Sequence, residues 1–260
     1  MKLPEPKASY TIANQRRYLE SVLARDQFTE ENKGKVSPLQ SAVLKMVTVA
    51  LQDGGGLVLD AGCGTAKTSH FLQSFEGRSK IRVIPVDLSA KVLSGAVKAY
   101  PEDGLTPVVG DVRSLPFITG RFQGVLVLQV LEFMPLAERL AFTTELARVT
   151  AEGGRLYLCC LQGRQQAEYE MDITMSGETG MLYEPVKQWQ LYRDLQASGF
   201  ELEKVQGLGV YNGNDFLIAI ARRLNSEQFA VVRNAKQRQP AAESPRPADE
   251  KAARRAALWA

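Results

Sequence analysis

Apolar and polar positions follow a repeating pattern between Leu57 and about Arg222, in which short apolar runs alternate with stretches of helical periodicity. The near-continuous apolar runs are typical of strands that are buried on both faces of a parallel sheet. The pattern predicts five such strands: LVLDA (57–61), IRVIPVD (81–87), TPVVGD (106–111), FQGVLVLQVL (122–131) and RLYLCCL (155–161).

Helices are predicted between these strands, over 67–75, 89–100 and 136–150. Ser89 is the expected N-cap of the second helix, whose apolar face is expected to hold Val92, Leu93, Ala96 and Val97. The residues Glu152 to Gly154 predict a turn before the fifth strand.

A further helix is predicted before Gly199, and two more strands follow it, at 201–207 and 215–223. No crossover helix fits between these two strands, so they are expected to be antiparallel neighbours. The prediction is a doubly wound α/β domain with a mostly parallel sheet and an antiparallel last strand.

The flanks of this region have a different character. Residues 1–56 are predicted to form an N-terminal helical cap, residues 57–223 the α/β domain, and residues 224–260 a largely disordered charged tail with at most a short terminal helix. The Arg and Lys residues of the tail could contact an acidic partner or RNA, although a solvated tail is the simpler interpretation.

Composition removes several classes of function. A formal charge of +3 over 260 residues is too small to indicate nucleic acid as the main partner. No apolar run predicts a membrane span or a signal peptide. The three cysteines, of which two are adjacent in an apolar run, are expected to be free buried thiols in a cytoplasmic protein, and no metal site is predicted.

The stretch VLDAGCGTAKTSHFL (58–72) places a glycine-rich turn between the first strand and the first helix, where backbone N–H groups can approach a ligand. A phosphate-binding loop would need glycines where this chain has Ala61 and Ala66. A dinucleotide fingerprint would need a small residue at Lys67. The third alternative is a cofactor with a cationic amino acid and a ribose, beside which the acid Asp60 is favourable.

This third alternative resembles the class I S-adenosylmethionine-dependent methyltransferases, whose first motif is similar to Asp60-Ala61-Gly62-Cys63-Gly64. The resemblance extends over about residues 57–223 and implies a Rossmann-like sheet of seven strands. It also implies that Asp87 accepts hydrogen bonds from the ribose hydroxyls and that Asp111 lies in a segment that contacts adenine. The cofactor contacts that it implies are Asp60, Ala61, Gly62, Gly64, Asp87, Leu88, Asp111, Val112, Leu128 and Gln129.

The segment after the fourth strand departs from many small-molecule members of this class. Phe133 stands where they often have a histidine, and Gln129 where they have a glutamate. His70, the only histidine of the chain, is expected to be a partly exposed helix residue away from the acceptor, and Glu132 to anchor its loop. No catalytic residue is therefore assigned.

The expected function is methyl transfer from S-adenosylmethionine to a small molecule such as a carboxylate, an amine, or an activated carbon or oxygen, because these acceptors need little or no base. The alternative is a non-catalytic S-adenosylmethionine-binding subunit. Residues 162–184 are expected either to cover the substrate as an apolar lid or to form an ordinary helix on the sheet. Sequence-specific nucleic-acid methylation and a membrane partner are not expected.

Overall fold

The computed structural model describes the predicted α/β region and the helix that follows it. The described residues are 56–74, 81–162, 171–175, 179–211 and 214–238, with six isolated helical residues before them: Arg16, Glu20, Ser41, Leu44, Lys45 and Val47. The helical cap over residues 1–56 lies mostly outside the described residues and stays a prediction. Val47 is fully buried in an apolar cluster together with the strand residues Val58 and Val83.

Seven of the described strands form one sheet, and the other two form a separate hairpin. The strands are β1 Gly56–Ala61, β2 Ile81–Asp87, β3 Val108–Val109, β4 Phe122–Leu128, β5 Thr150–Leu161, β6 Met171–Met175, β7 Thr179–Tyr183, β8 Phe200–Tyr211 and β9 Asn214–Arg223. The sheet has the order β3-β2-β1-β4-β5-β9-β8. Strands β1 to β5 pair in parallel, whereas β9 is antiparallel to both β5 and β8. The predicted fold class is confirmed.

The helices of the described residues are α1 Lys67–Ser74, α2 Ala90–Ala99, α3 Leu136–Val149, α4 Gln188–Ala197 and α5 Ser226–Arg238. Ser89 caps α2 as predicted, because its side-chain oxygen accepts a hydrogen bond from the N–H of Val92 at 3.3 Å. Val97 is 40% exposed, so it does not belong to the buried face of α2 as predicted. Ala99 is the fourth buried residue of that face, with Val92, Leu93 and Ala96.

Alternate residues of the central strands enter two different apolar clusters. In β4, Val125 and Val127 belong to one cluster and Leu126 to the other. In β5, Leu158 belongs to the first cluster and Cys159 to the second. Successive side chains of a strand point to opposite faces, so both faces of the sheet are covered, as the continuous apolar runs indicated.

The boundaries of several strands differ from the prediction: β4 ends at Leu128 and not at 131, and β8 runs over Phe200–Tyr211 and not over 201–207. Strand β3 contains only Val108–Val109 of the predicted 106–111. Strand β5 begins at Thr150, and the predicted turn at 152–154 is a bulge within it: Phe122 of β4 pairs with Thr150, but Gly124 pairs with Arg155. The extra residues of β5 are accommodated without ending the strand.

A β-hairpin occupies much of the segment after β5. Strands β6 and β7 pair antiparallel, with Met171 opposite Tyr183 and Met175 opposite Thr179. In the described residues 171–175 and 179–183, the alternative of an ordinary helix is therefore wrong.

The chain divides into two compact units, Met1–Leu224 and Asn225–Ala260. Helix α5 lies in the second unit, where composition predicted a largely disordered tail, so that prediction is corrected for residues 226–238. The helix has a reciprocal cap: Asn225 Oδ1 accepts from the N–H of Gln228 at 2.8 Å, and Gln228 Oε1 accepts from the N–H of Asn225 at 3.1 Å. Residues 239–260 lie outside the described residues.

Candidate cofactor and acceptor site

The carboxyl ends of β1, β2 and β4 meet at one edge of the sheet. Asp60 near the end of β1 and Asp87 at the end of β2 are both buried there, with exposed fractions of 2% and 3%. The N–H groups of Gly62 and Cys63 donate to the carbonyl oxygen of Val86, at 2.8 and 2.9 Å. The glycine loop is therefore fixed against β2, beside the two acids.

The carboxylate of Asp87 connects the glycine loop to the start of α2. Its Oδ2 accepts a hydrogen bond from the N–H of Gly64, and its Oδ1 accepts one from the N–H of Ser89, each at 3.0 Å. Burial raises the pKa of Asp87, and these hydrogen bonds oppose the rise. Because a carboxylate oxygen has two lone pairs, Asp87 can still accept from the two hydroxyls of a ribose.

Asp60 is held by one side chain of α1, since its Oδ2 accepts a hydrogen bond from the hydroxyl of Ser69 at 2.7 Å. Burial raises the pKa of Asp60 to about 6; the Ser69 hydrogen bond lowers it and the charge of Asp87 raises it further. A cation placed between the two acids would relieve this repulsion, whereas a phosphate would increase it. The two acids therefore fit the cationic amino acid and ribose of S-adenosylmethionine better than a nucleotide phosphate.

The two loop glycines differ in what surrounds them. Gly62 has a φ of +76°, and a Cβ built on it would lie 2.5 Å from Cγ2 of Val130. Gly64 has a φ of +52°, and a Cβ on it would meet no atom within 4 Å. Gly62 thus allows the loop to pack closely on the segment after β4, while Gly64 lies beside open space that a ligand can fill.

Replacing each glycine by alanine separates these two roles. The positive φ costs roughly 1–2 kcal/mol at either position, and overpacking adds about 1–3 kcal/mol for Gly62→Ala. We expect Gly62→Ala to lower the free energy of unfolding in urea more than Gly64→Ala does. Gly64→Ala is expected to weaken binding of S-adenosylhomocysteine by roughly tenfold. Equal loss of stability in both variants, with unchanged binding in Gly64→Ala, would contradict these roles.

The end of β4 contributes Leu128 and Gln129. Gln129 has a φ of +57°, which is unusual for a residue other than glycine, and its N–H donates to the carbonyl oxygen of Cys159 at 2.7 Å. Leu128 is half-buried and Gln129 is exposed. The chain therefore turns sharply at the sheet edge, in the position where the resemblance implies a cofactor contact.

The carboxylate of Asp111 accepts hydrogen bonds from a neighbouring arginine. Its Oδ1 accepts from the N–H of Arg113 at 2.9 Å, and its Oδ2 accepts from Nη2 of the same residue at 2.6 Å. Burial opposes ionisation of Asp111, but the bonds and charge of Arg113 outweigh it and lower the pKa. Arg113 also contacts Glu138 in α3. The carboxylate predicted to contact adenine thus already closes a turn.

The remaining predicted contacts lie around the same edge. Val112 is buried next to the Asp111 turn, Ala61 is fully buried at the end of β1, and Leu88 after β2 is half-buried. The structure therefore brings the predicted residues together. Their role as cofactor contacts stays a prediction.

His70 has contacts that account for it without catalysis. Its Nδ1 lies 2.6 Å from Oδ2 of Asp103, and its ring stacks on Tyr100 with centroids 4.1 Å apart. Among the described residues, His70, Glu102 and Asp103 are the group whose possible metal-ligating atoms come within 4.8 Å of one another, and the His70–Asp103 hydrogen bond explains this proximity. These residues join α1 to the turn at Pro101–Asp103.

Glu132 lies beyond the end of β4 and is only 3% exposed. Its Oε1 accepts from the N–H of Leu161 at 3.4 Å, in agreement with the predicted anchoring role, whereas its Oε2 is buried without a partner. Burial raises the pKa of Glu132 to about 7. Arg139 in α3, which is 1% exposed, was missed by the sequence reasoning, because a charged residue on a helix usually faces water.

The three cysteines are free: Cys159 and Cys160 are buried, and Cys63 in the glycine loop is half-buried. Burial raises the pKa of the Cys63 thiol well above its ordinary value, with the charges of Asp60 and Asp87 adding to the rise. Cys63 is therefore a neutral thiol beside the acids and not a nucleophile.

Comparison with known proteins agrees with this arrangement. Residues 59–158 match the model of a methyltransferase domain family. The predicted class I S-adenosylmethionine-dependent methyltransferase domain is confirmed. No curated protein matches the chain.

Solved structures share the fold at low sequence identity. The 1,6-didemethyltoxoflavin-N1-methyltransferase of Burkholderia thailandensis, solved with S-adenosylhomocysteine, is 20% identical over 86% of this chain and 94% of its own, with a TM-score of 0.65. The magnesium protoporphyrin IX methyltransferase of Synechocystis PCC 6803, solved with S-adenosylmethionine, is 21% identical over 84% of this chain and 99% of its own, with a TM-score of 0.61. The [4+2]-cyclase SpnF is 19% identical over 82% of this chain and 94% of its own, with the same TM-score of 0.61.

Proposed function

We propose that the chain transfers a methyl group from S-adenosylmethionine to a small-molecule acceptor that needs no histidine base: a carboxylate, an amine, or an activated carbon or oxygen. The observation that carries this proposal is the position of the single histidine. His70 lies in α1 and its Nδ1 is 2.6 Å from Oδ2 of Asp103, and Phe133 stands where related enzymes often have a histidine. An unactivated alcohol would lack a histidine to remove its proton.

The residues that would hold the cofactor are those at the carboxyl edge of β1 and β2. Asp87 would accept from the ribose hydroxyls, and Asp60 would face the cationic amino acid portion. When bound, S-adenosylmethionine supplies a methyl group on a sulfonium, and its transfer is an in-line displacement that depends mainly on alignment. The contribution of the chain is then to fix the two reactants and to exclude water.

The small-molecule class of the acceptor is supported by the relatives. The two methyltransferases named above act on 1,6-didemethyltoxoflavin and on magnesium protoporphyrin IX. The cyclase with the same fold shows that the fold by itself does not assign methyl transfer. The alternative of a non-catalytic S-adenosylmethionine-binding subunit therefore needs a direct experiment.

The test is incubation of the protein with S-adenosylmethionine labelled on its methyl group and a metabolite extract depleted of macromolecules. We expect label to appear in a small-molecule product together with S-adenosylhomocysteine, and an Asp87→Ala control to give none. Binding of S-adenosylhomocysteine without labelled product across broad extracts would favour the non-catalytic alternative.

Three expectations on location and partners remain predictions. No described helix has the length and apolar character that a membrane crossing requires. The cytoplasmic location, the acidic partner and the absence of sequence-specific nucleic acid rest on the sequence alone. The tail from Asn225 carries seven basic and four acidic residues, which supports the acidic partner.

A further inference from the structure

The β6–β7 hairpin follows the carboxyl end of β5 in the sequence and lies between Leu161 and α4. Ligands of such sheets bind at the carboxyl ends of the strands. The cofactor residues proposed above come mainly from the β1 and β2 side of this edge. The β4 and β5 side, where the hairpin is inserted, is therefore the side that remains for the acceptor.

Glu132 contacts the chain at both ends of the hairpin segment. At the entry, its side-chain Oε1 accepts a hydrogen bond from the N–H of Leu161 at 3.4 Å. At the exit, its backbone oxygen accepts one from the N–H of Glu184 at 2.7 Å. The two ends are also joined directly, because the N–H of Val186 donates to the carbonyl oxygen of Leu161 at 2.8 Å.

Arg139 holds the exit of the hairpin from the other direction. Its Nη2 donates to the carbonyl oxygen of Glu184 at 2.6 Å, and its Nε donates to the carbonyl oxygen of Met134 at 3.1 Å. Both the N–H and the carbonyl of Glu184 are thus held, one by Glu132 and one by Arg139. A guanidinium suits this arrangement, because its planar fork can donate to two carbonyl groups at once.

Glu132 and Arg139 are more deeply buried than charged side chains usually are. Glu132 is 3% and Arg139 is 1% exposed, and each retains a buried atom without a partner, Oε2 and Nη1 respectively. Buried charges are costly, and apolar residues of similar volume often replace them without loss of stability. A role in fixing the geometry of the hairpin accounts for two charged residues at this place.

We propose that Glu132 and Arg139 act as positioning residues that hold the β6–β7 hairpin over the acceptor side of the site, and so set the affinity for the acceptor without contacting the cofactor. The assignment of the acceptor side rests on the proposed methyl transfer. The attachment of the hairpin does not, and it can be tested separately.

Hydrogen exchange with mass spectrometry tests the attachment. In Arg139→Lys, the amides of 171–186 are expected to exchange roughly tenfold faster, while those of β8 and β9 stay unchanged. Arg139→Met should give a larger effect, since lysine can still donate to one carbonyl. The matched control is Arg148→Met: Arg148 lies on the same helix and donates to the carbonyl oxygens of Leu115 and Phe117 at 3.0 and 2.7 Å. This control should leave the hairpin amides unchanged.

The acceptor effect is measured with the labelled methyl donor while the metabolite extract is diluted in steps. For Arg139→Lys and Glu132→Leu, we expect the half-saturating extract concentration to rise about fivefold, with the maximum rate and the S-adenosylhomocysteine affinity within about twofold of the unmodified protein. A uniform rise of exchange over β4, β5, β8 and β9, or unchanged exchange in the hairpin, would overturn the proposal. Faster hairpin exchange without product from any form would instead count against methyl transfer.

Discussion

Asp87→Ala is expected to lower the affinity for S-adenosylmethionine by roughly a hundredfold or more, which corresponds to about 2.7 kcal/mol. The variant removes the proposed acceptor of the ribose hydroxyls. It also leaves the N–H groups of Gly64 and Ser89 without the carboxylate that each bonds at 3.0 Å, so the glycine loop loses its connection to α2. Equilibrium dialysis with labelled S-adenosylmethionine measures the change.

Two further variants make this result specific. Asp87→Asn retains one acceptor oxygen, which can accept only some of the hydrogen bonds that the carboxylate accepts. The affinity of this variant for S-adenosylmethionine is therefore expected to lie between that of Asp87→Ala and that of the unmodified protein. Glu201→Gln removes an acid that is 54% exposed on β8 and pairs with Arg222, and it should not change binding. An affinity of Asp87→Ala within about threefold of the unmodified protein would show that this carboxylate does not hold the cofactor.

Asp60→Asn is expected to make the protein more stable in the absence of cofactor at neutral pH, while weakening cofactor binding by roughly tenfold. The folded protein raises the pKa of Asp60 from 3.8 to about 6, chiefly by burial. A raised pKa means that the folded state holds its proton more tightly than the unfolded chain. The stability linked to this group is therefore complete below about pH 4 and is lost as the pH rises to about 6.

The size of the loss follows from the shift of about two pKa units, which corresponds to at most about 3 kcal/mol. Urea unfolding at about pH 4 and about pH 7.5 measures it. Asn cannot ionise, so the variant and the unmodified protein should have similar free energies of unfolding at the lower pH and differ at the higher pH. A variant that is equally destabilised at both pH values would contradict the assigned burial cost of the charge.

The sequence predicted the parts of the structure that depend on local periodicity and spacing. Strand β2 runs over the predicted 81–87, and the acids Asp60 and Asp87 lie buried at neighbouring strand ends as expected. Both predictions rest on patterns within a few residues. A run that is apolar at every position can only be buried on both faces, and the carboxyl ends of parallel strands meet at one edge.

Other parts depend on pairings that the sequence does not contain. Residues 162–184 were expected to form either an apolar lid or an ordinary helix, and the hairpin was not predicted because strand pairing is decided between residues that are apart in the sequence. For Asp111, the sequence predicted an adenine contact but not the hydrogen bonds that its carboxylate accepts from Arg113. Helix α5 was missed because composition was averaged over the whole tail, although Asn225 and Gln228 carry a local capping signal.

The edge formed by β1 and β2 is expected to hold S-adenosylmethionine and not a nucleotide phosphate. A calorimetric titration of the protein with S-adenosylhomocysteine, and separately with NADH and with ATP, at neutral pH tests this directly. We expect micromolar binding of S-adenosylhomocysteine at one site per chain and no heat of binding with NADH or ATP. Tight binding of NADH or ATP, with no binding of S-adenosylhomocysteine, would contradict it.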